Sequence, residues 1–144
     1  MQDEDAYKKY PAHRKWMNKL WLAEKFNYVC GPAGVEIPET GMYVIRPIYN
    51  LVGMGAGASV QKLDKGDLVS VPPGYFWCEY FNGNHYSANY EWKMNDTVGG
   101  KWVGLNCWEG INMPINLSKF VEWKRSKVIP DLHHIFKSLG EDVT

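Results

Sequence analysis

The sequence predicts an α+β fold: an antiparallel sheet of about five strands with an N-terminal helix and one or two C-terminal helices packed on it. Three observations lead there. Apolar residues between Pro11 and Phe26 recur at helical spacing, the middle of the chain is a series of short β-branched and aromatic runs broken by Gly, Pro and Asn, and helical spacing returns after Pro130. With 144 residues, 45% of them hydrophobic, the chain can bury one core, so residues 1–144 are read as a single domain with a flexible lead at 1–10.

The helix over Pro11 to Phe26 rests on Trp16, Leu20 and Ala23, with Met17, Trp21 and Leu22 widening the stripe. "NYVCGPAGVEIPETG" breaks it and reads as a winding connection with at most a short strand at Tyr28 to Cys30. "GMYVIRP" has the composition of a strand and stops at Pro47, which lacks an amide hydrogen. After a glycine-rich loop come a second strand at "ASVQKL", a turn at "DKGD" and a short strand at "LVSV". In "GYFWCEYFNGNHYSANYEW", Asn82-Gly83 between two aromatic runs predicts a two-residue type I′ hairpin. That register puts Tyr75, Trp77, Glu79, Phe81, Tyr86, Ala88, Tyr90 and Trp92 on one face, and Cys78, His85 and Ser87 on the other. "NDTVGGK" is a further turn and "KWVGLNCW" the last strand. Asn116 or Ser118 then caps a helix through Phe120, Val121 and Trp123, and Leu132, Ile135, Phe136 and Leu139 form a final helix stopped by Gly140.

Sixteen basic residues balance sixteen acidic ones, so no overall field draws in nucleic acid, and no nucleic-acid partner is expected. Cys30, Cys78 and Cys107 are odd in number and widely spaced, which fits reduced thiols and a cytoplasmic compartment. No C-x-x-C pair exists and His13, His85, His133 and His134 lack helical ligand spacing, so no metal site is expected. No apolar stretch is long enough to span a bilayer, so no membrane partner is expected either.

Chemistry concentrates at two places. Arg46 ends a strand just before a loop containing Gly53, Gly55 and Gly57, a pattern in which backbone amides approach an anion while a cation balances its charge. The loop is not a Walker A sequence, since no G-K-[ST] closes it; as a bland alternative the glycines supply positive φ for a hairpin. Glu79, placed among aromatics by the hairpin register, needs a hydrogen-bond donor, a cation, a bulge or a ligand amine. Elsewhere the ordinary reading prevails: Cys78 with His85 and Ser87 lacks a third orienting group, and Lys124, Arg125 and Lys127 of "KRSK" read as a solvated helix face.

The segments "YVIRPIYNLVGMGAGASV" and "FWCEYFNGNHYSANYEW", in that order and followed by "KWVGLNCWEG", resemble the ATP-grasp family, most closely its ATP-grasp-like proteins of tailed phages, over roughly residues 28 to 125. The resemblance implies that Arg46 stands at the phosphate-contacting basic position, that Gly53, Gly55, Gly57 and Ser59 belong to the loop over the phosphates, and that Glu79 receives an adenine amino group. His85 and Asn89 replace the usual Glu and Asp, and the family's E-x-N metal strand is not evident, so ATP or ADP is the implied cofactor without a complete Mg²⁺ site. The implied function is a nucleotide- or phosphate-binding module of viral origin, in the host cytoplasm and without complete catalytic machinery; an active form would be an ATP-dependent carboxylate-amine ligase. The alternative is a non-catalytic interaction protein whose aromatic sheet face forms a homodimer or partner interface.

Overall fold

In the computed structural model, which describes residues 3–52, 55–95, 99–112, 120–132 and 135–136, the fold is α+β. The described residues form two compact units, one ending at Asn82 and one beginning at Gly83. Their elements are α1 (Asp3–Lys9), a 3-10 helix (Pro11–Met17), α2 (Lys19–Lys25), β1 (Cys30–Pro32), β2 (Gly41–Pro47), β3 (Ser59–Leu63), β4 (Tyr75–Glu79), β5 (His85–Asn95), β6 (Gly99–Asn112) and β7 (Phe120–Arg125). The strands make two antiparallel sheets, of order β1-β4-β2-β3 and β5-β6-β7, where one sheet of about five strands is the sequence expectation.

The difference arises at Asn82-Gly83. This dipeptide does not join a hairpin: β4 pairs with β1 and β2, and β5 pairs with β6. β4 carries Phe76, Trp77 and Cys78, all buried, so both its faces and both its edges are used within the first sheet. A strand apolar on both faces belongs in a sheet interior, and that preference outweighs the local turn signal. The single aromatic face therefore does not form; Trp77 is buried in the first unit, while Phe81 and Tyr86 are exposed in different units.

In the first unit one sheet face packs Tyr43, Ile45 and Trp77 against Ile37 and Val69. The covering loops are tied down by Ile37 N–H donating to Asp67 O at 3.0 Å, Gly66 N–H to Ile37 O at 2.8 Å and the Trp77 indole N–H to Val35 O at 3.2 Å. Here "LVSV" forms only an isolated bridge, Leu68 with Glu36, instead of a strand. The opposite face packs Val44, Phe76 and Cys78 against Ala23 and Leu20 of α2. The helix expected over Pro11 to Phe26 is broken at Asn18, whose backbone is extended (φ −81°, ψ 103°) and whose Oδ1 accepts the Trp21 N–H at 2.8 Å. An Asn side chain that captures a backbone amide is a better N-cap than a helix interior residue.

In the second unit the long β5–β6 hairpin carries a bulge between Asn89 and Tyr90, and β7 adds to β6. Phe120, Trp123, Lys124 and Arg125 are thus strand residues, not a helix. One face of this sheet is covered by the segment after β7: Tyr90 Oη donates to Pro130 O at 2.6 Å, and Phe136 packs on Tyr90 and Trp102 at 5.1 and 5.0 Å. Of the expected final helix, Ile135 and Phe136 are helical. The expected cap at Asn116 or Ser118, His133 and His134, and the stop at Leu139-Gly140 lie outside the described residues.

Burial raises the Cys78 thiol from 9.0 to about 11, against the opposing pull of Arg46. Its proton is held more tightly in the folded chain, so the stabilisation is intact below pH 9 and is lost as pH rises toward 11. A rise of that size corresponds to roughly 2–3 kcal/mol. In urea titrations between about pH 8 and 11, Cys78→Ala is expected to show a flatter decline in stability than the parent chain; parallel declines would rule out this coupling.

Candidate functional site

Directly paired residues of antiparallel strands share a sheet face, so the register assigns each candidate. Arg46 lies opposite Phe76, and two residues along Val44 lies opposite Cys78; all four face α2. Glu79 lies opposite Tyr43, on the face that carries Ile45 and Trp77. Ser59 pairs with Ile45 and so shares the Glu79 face. The register thus separates Arg46 from both Ser59 and Glu79.

Arg46 is half-buried, and its Nε–H is fully buried with no hydrogen-bond partner. Burial depresses its pKa, but a guanidinium stays charged at any physiological pH. Lys19, the first residue of α2, is within electrostatic reach: burial lowers its pKa and the Arg46 charge lowers it further, with a smaller opposing effect from Asp3. The Lys19 backbone N–H donates to Ile48 O at 2.9 Å, fixing the start of α2 against the end of β2. Two cations on the α2 side of the sheet, one with an orphaned donor, is the arrangement an anion would relieve. Lys19 is absent from the sequence expectation because its proximity to Arg46 depends on how α2 docks.

The loop after β2 is explained by its own geometry. Gly53 lies outside the described residues. Gly55 and Gly57 have φ of 65° and 76°, and a Cβ at Gly57 would come within 2.7 Å of Tyr75 Oη and 3.0 Å of Pro47 Cγ. Asn50 Nδ2 donates to Ala56 O at 3.3 Å and Ala58 N–H to Gly55 O at 3.0 Å. These glycines are required by left-handed backbone and close approach. The Ser59 hydroxyl accepts from Gln61 Nε2 at 3.3 Å.

Glu79 finds its donor in the backbone. Its N–H donates to Val29 O at 2.8 Å, and its carboxylate Oε1 accepts the Val29 N–H at the same distance. The side chain thereby completes the β1–β4 ladder in place of a carbonyl. In the second unit, His85 and Ser87 sit on β5, so they share no sheet with Cys78. Among the described residues, no three His, Cys, Asp or Glu side chains gather as a metal-holding group, and no helix is long and apolar enough to cross a membrane. A cavity of about 220 Å³ lies in the second unit, lined by Tyr90, Trp102, Ile129, Asp131 and Phe136 among others.

No family model, curated protein or solved structure matches the chain.

Proposed function

We propose that the first unit binds the phosphate group of a small molecule, a nucleotide being the class that the ATP-grasp resemblance implies, with Arg46 and Lys19 as its cations. The observation that carries this reading is the buried Arg46 Nε–H without an acceptor. A buried donor left unpaired costs about 1–3 kcal/mol, and a phosphate oxygen would remove that cost while balancing both charges. The arrangement supports the phosphate contact of the resembled site and not its base contact, because Glu79 lies on the other sheet face and is bonded to Val29. It supports binding rather than ligation.

The test follows from the same nitrogen. Arg46→Met keeps the alkyl stem and deletes the orphaned donor, so in ligand-free buffer it is expected to raise the melting temperature. Inorganic phosphate, ADP or ATP is expected to stabilise the parent chain, by about 2.7 kcal/mol at a hundred times the dissociation constant, and to leave Arg46→Met unmoved. Absence of any shift of the parent chain at millimolar phosphate and nucleotide would refute the reading, as would a variant that responds like the parent.

A further inference from the structure

The second sheet has two unlike faces. The register β5-β6-β7 brings His85, Gly110 and Trp123 into one row, and Ser87, Trp108 and Arg125 into the next. Asn89 with Asn106, Glu91 with Val103, and Lys93 with Lys101 continue the same face. The covered face carries Tyr90, Trp92 and Trp102; this outer one is open. Trp108 and Trp123 are 39% and 42% exposed, and His85, Ser87, Asn89, Lys93, Lys101 and Arg125 are exposed as well.

Three features of the outer face act together. Trp108 and Trp123 lie on neighbouring strands one row apart, and the Trp123 ring meets His85 edge-on at 5.8 Å, with Gly110 buried between them. This gives adjacent aromatic surfaces held by strands rather than by loops. The face carries Lys93, Lys101 and Arg125 against one carboxylate, Glu91. Glu91 is matched by Lys93 at 3.4 Å, so the net charge rests on Lys101 and Arg125. Finally, the Asn89 Nδ2 to Asn106 Oδ1 bond at 2.7 Å ties β5 to β6 across the polar middle of the face, beside the bulge.

We infer that this face binds single-stranded nucleic acid, with bases stacked on Trp108 and Trp123 and backbone phosphate held by Arg125 and Lys101. Exposed aromatics interleaved with cations on an open sheet match a polymer that offers a π-face and an anion at every repeat. A neutral sugar chain would use the aromatics but not the charge, and a duplex would use the charge but not the aromatics. The balanced charge of the whole chain does not oppose this, since the field at a surface is set by the groups on it. The inference is independent of the phosphate site in the first unit.

The experiment is fluorescence anisotropy of labelled oligo(U) and oligo(dT), about 15 nucleotides long, with the full chain. Binding is expected in the micromolar range at about 50 mM salt. Trp108→Ala is expected to weaken it by roughly 5- to 150-fold, the equivalent of 1–3 kcal/mol of stacking, while Trp108→Phe retains most of it. Arg125→Ala is expected to lower the slope of log Kd against log salt by about 0.7. Lys65→Ala, which removes an exposed first-unit cation paired with Glu39, is expected to bind as the parent does, and far-ultraviolet circular dichroism checks that each variant is folded. The inference is overturned by no anisotropy change at about 100 µM protein, by affinity unaltered in folded Trp108→Ala, or by a duplex or heparin binding as tightly as the single strand. Tryptophan quenching by a neutral β-linked glucan oligomer, with none by the oligonucleotides, overturns it in favour of a sugar site.

Discussion

Trp77→Ala is expected to lower the unfolding free energy by about 3–5 kcal/mol, the range for deleting a large buried aromatic. Trp77 is 2% exposed at the centre of the four-stranded sheet, and its ring meets Tyr43 edge-on at 5.6 Å. It also packs with Ile37, Ile45 and Val69, so its loss opens a cavity bordered by both the sheet and the covering loops. The site cannot collapse cheaply, because Gly31 in the neighbouring strand already lies against the indole: a Cβ there would be 2.7 Å from Trp77 Cζ2. Trp77→Phe separates the contributions. It refills most of the space but leaves Val35 O without the indole N–H, so a loss of about 1–2 kcal/mol is expected. Urea denaturation followed by circular dichroism measures both, and a loss below about 1 kcal/mol for the alanine variant would contradict the central role given to this residue.

Gly100→Val sets strand propensity against sterics. Valine is a far better strand residue than glycine, which by propensity alone predicts a gain of up to about 1 kcal/mol. Gly100 lies beneath the Trp92 indole, however, and a Cβ built there would overlap ring atoms Cε2, Cζ2 and Nε1. Trp92 stacks edge-on against Trp102 at 5.4 Å, and Trp102 in turn meets Phe136 at 5.0 Å. Valine must therefore displace Trp92 and disturb the cluster that covers this side of the sheet. Overpacking of this kind costs roughly 1–3 kcal/mol or more, so a net loss of at least about 2 kcal/mol is expected in denaturant titrations. Gly83→Ala is the matched control: nothing lies within 4 Å of its added Cβ, and a change within about 0.5 kcal/mol is expected. Stabilisation by Gly100→Val would show that the Trp92 ring is not held over the glycine.

The Trp77 and Gly100 variants and the Arg46 variant probe different physics. Loss of Trp77 or intrusion on Trp92 removes apolar packing, and the expected sign is destabilisation under all conditions. Removal of the Arg46 guanidinium deletes a half-buried charge and a buried donor with no acceptor, and its expected sign without ligand is the reverse. That opposition of sign distinguishes a cation kept for binding from one kept for structure.

Much of the fold class was legible because it depends on local periodicity. The β-branched and aromatic runs at Gly41–Pro47, Ser59–Leu63 and Tyr75–Glu79 are strands, and the Leu20–Ala23 stripe is the helix face that covers them. Arg46 was legible as a cation beside a glycine-rich turn, and Glu79 as a carboxylate in need of a donor. The missed element at Phe120–Arg125 carried a signal of its own. Trp123 stands between the charged Glu122 and Lys124, although the apolar residues of so short a run also fit a helical stripe.

Partnership between strands was decided only in three dimensions. Asn82-Gly83 has the local chemistry of a tight hairpin, yet β4 takes β1 and β2 as neighbours because Phe76, Trp77 and Cys78 require burial on both faces. Pairing then settles face parity, and a shift of one residue would exchange the faces entirely. It is this parity that parts Arg46 from Glu79, brings Lys19 on α2 near the guanidinium, and sets Trp108, Trp123 and Arg125 together on an open sheet. The sequence by itself determined most of the extended and helical segments, with Phe120–Arg125 and "LVSV" as exceptions, since those preferences act over a few residues. The tertiary structure determined which side chains meet, because strand register and helix docking answer to burial summed over the whole unit.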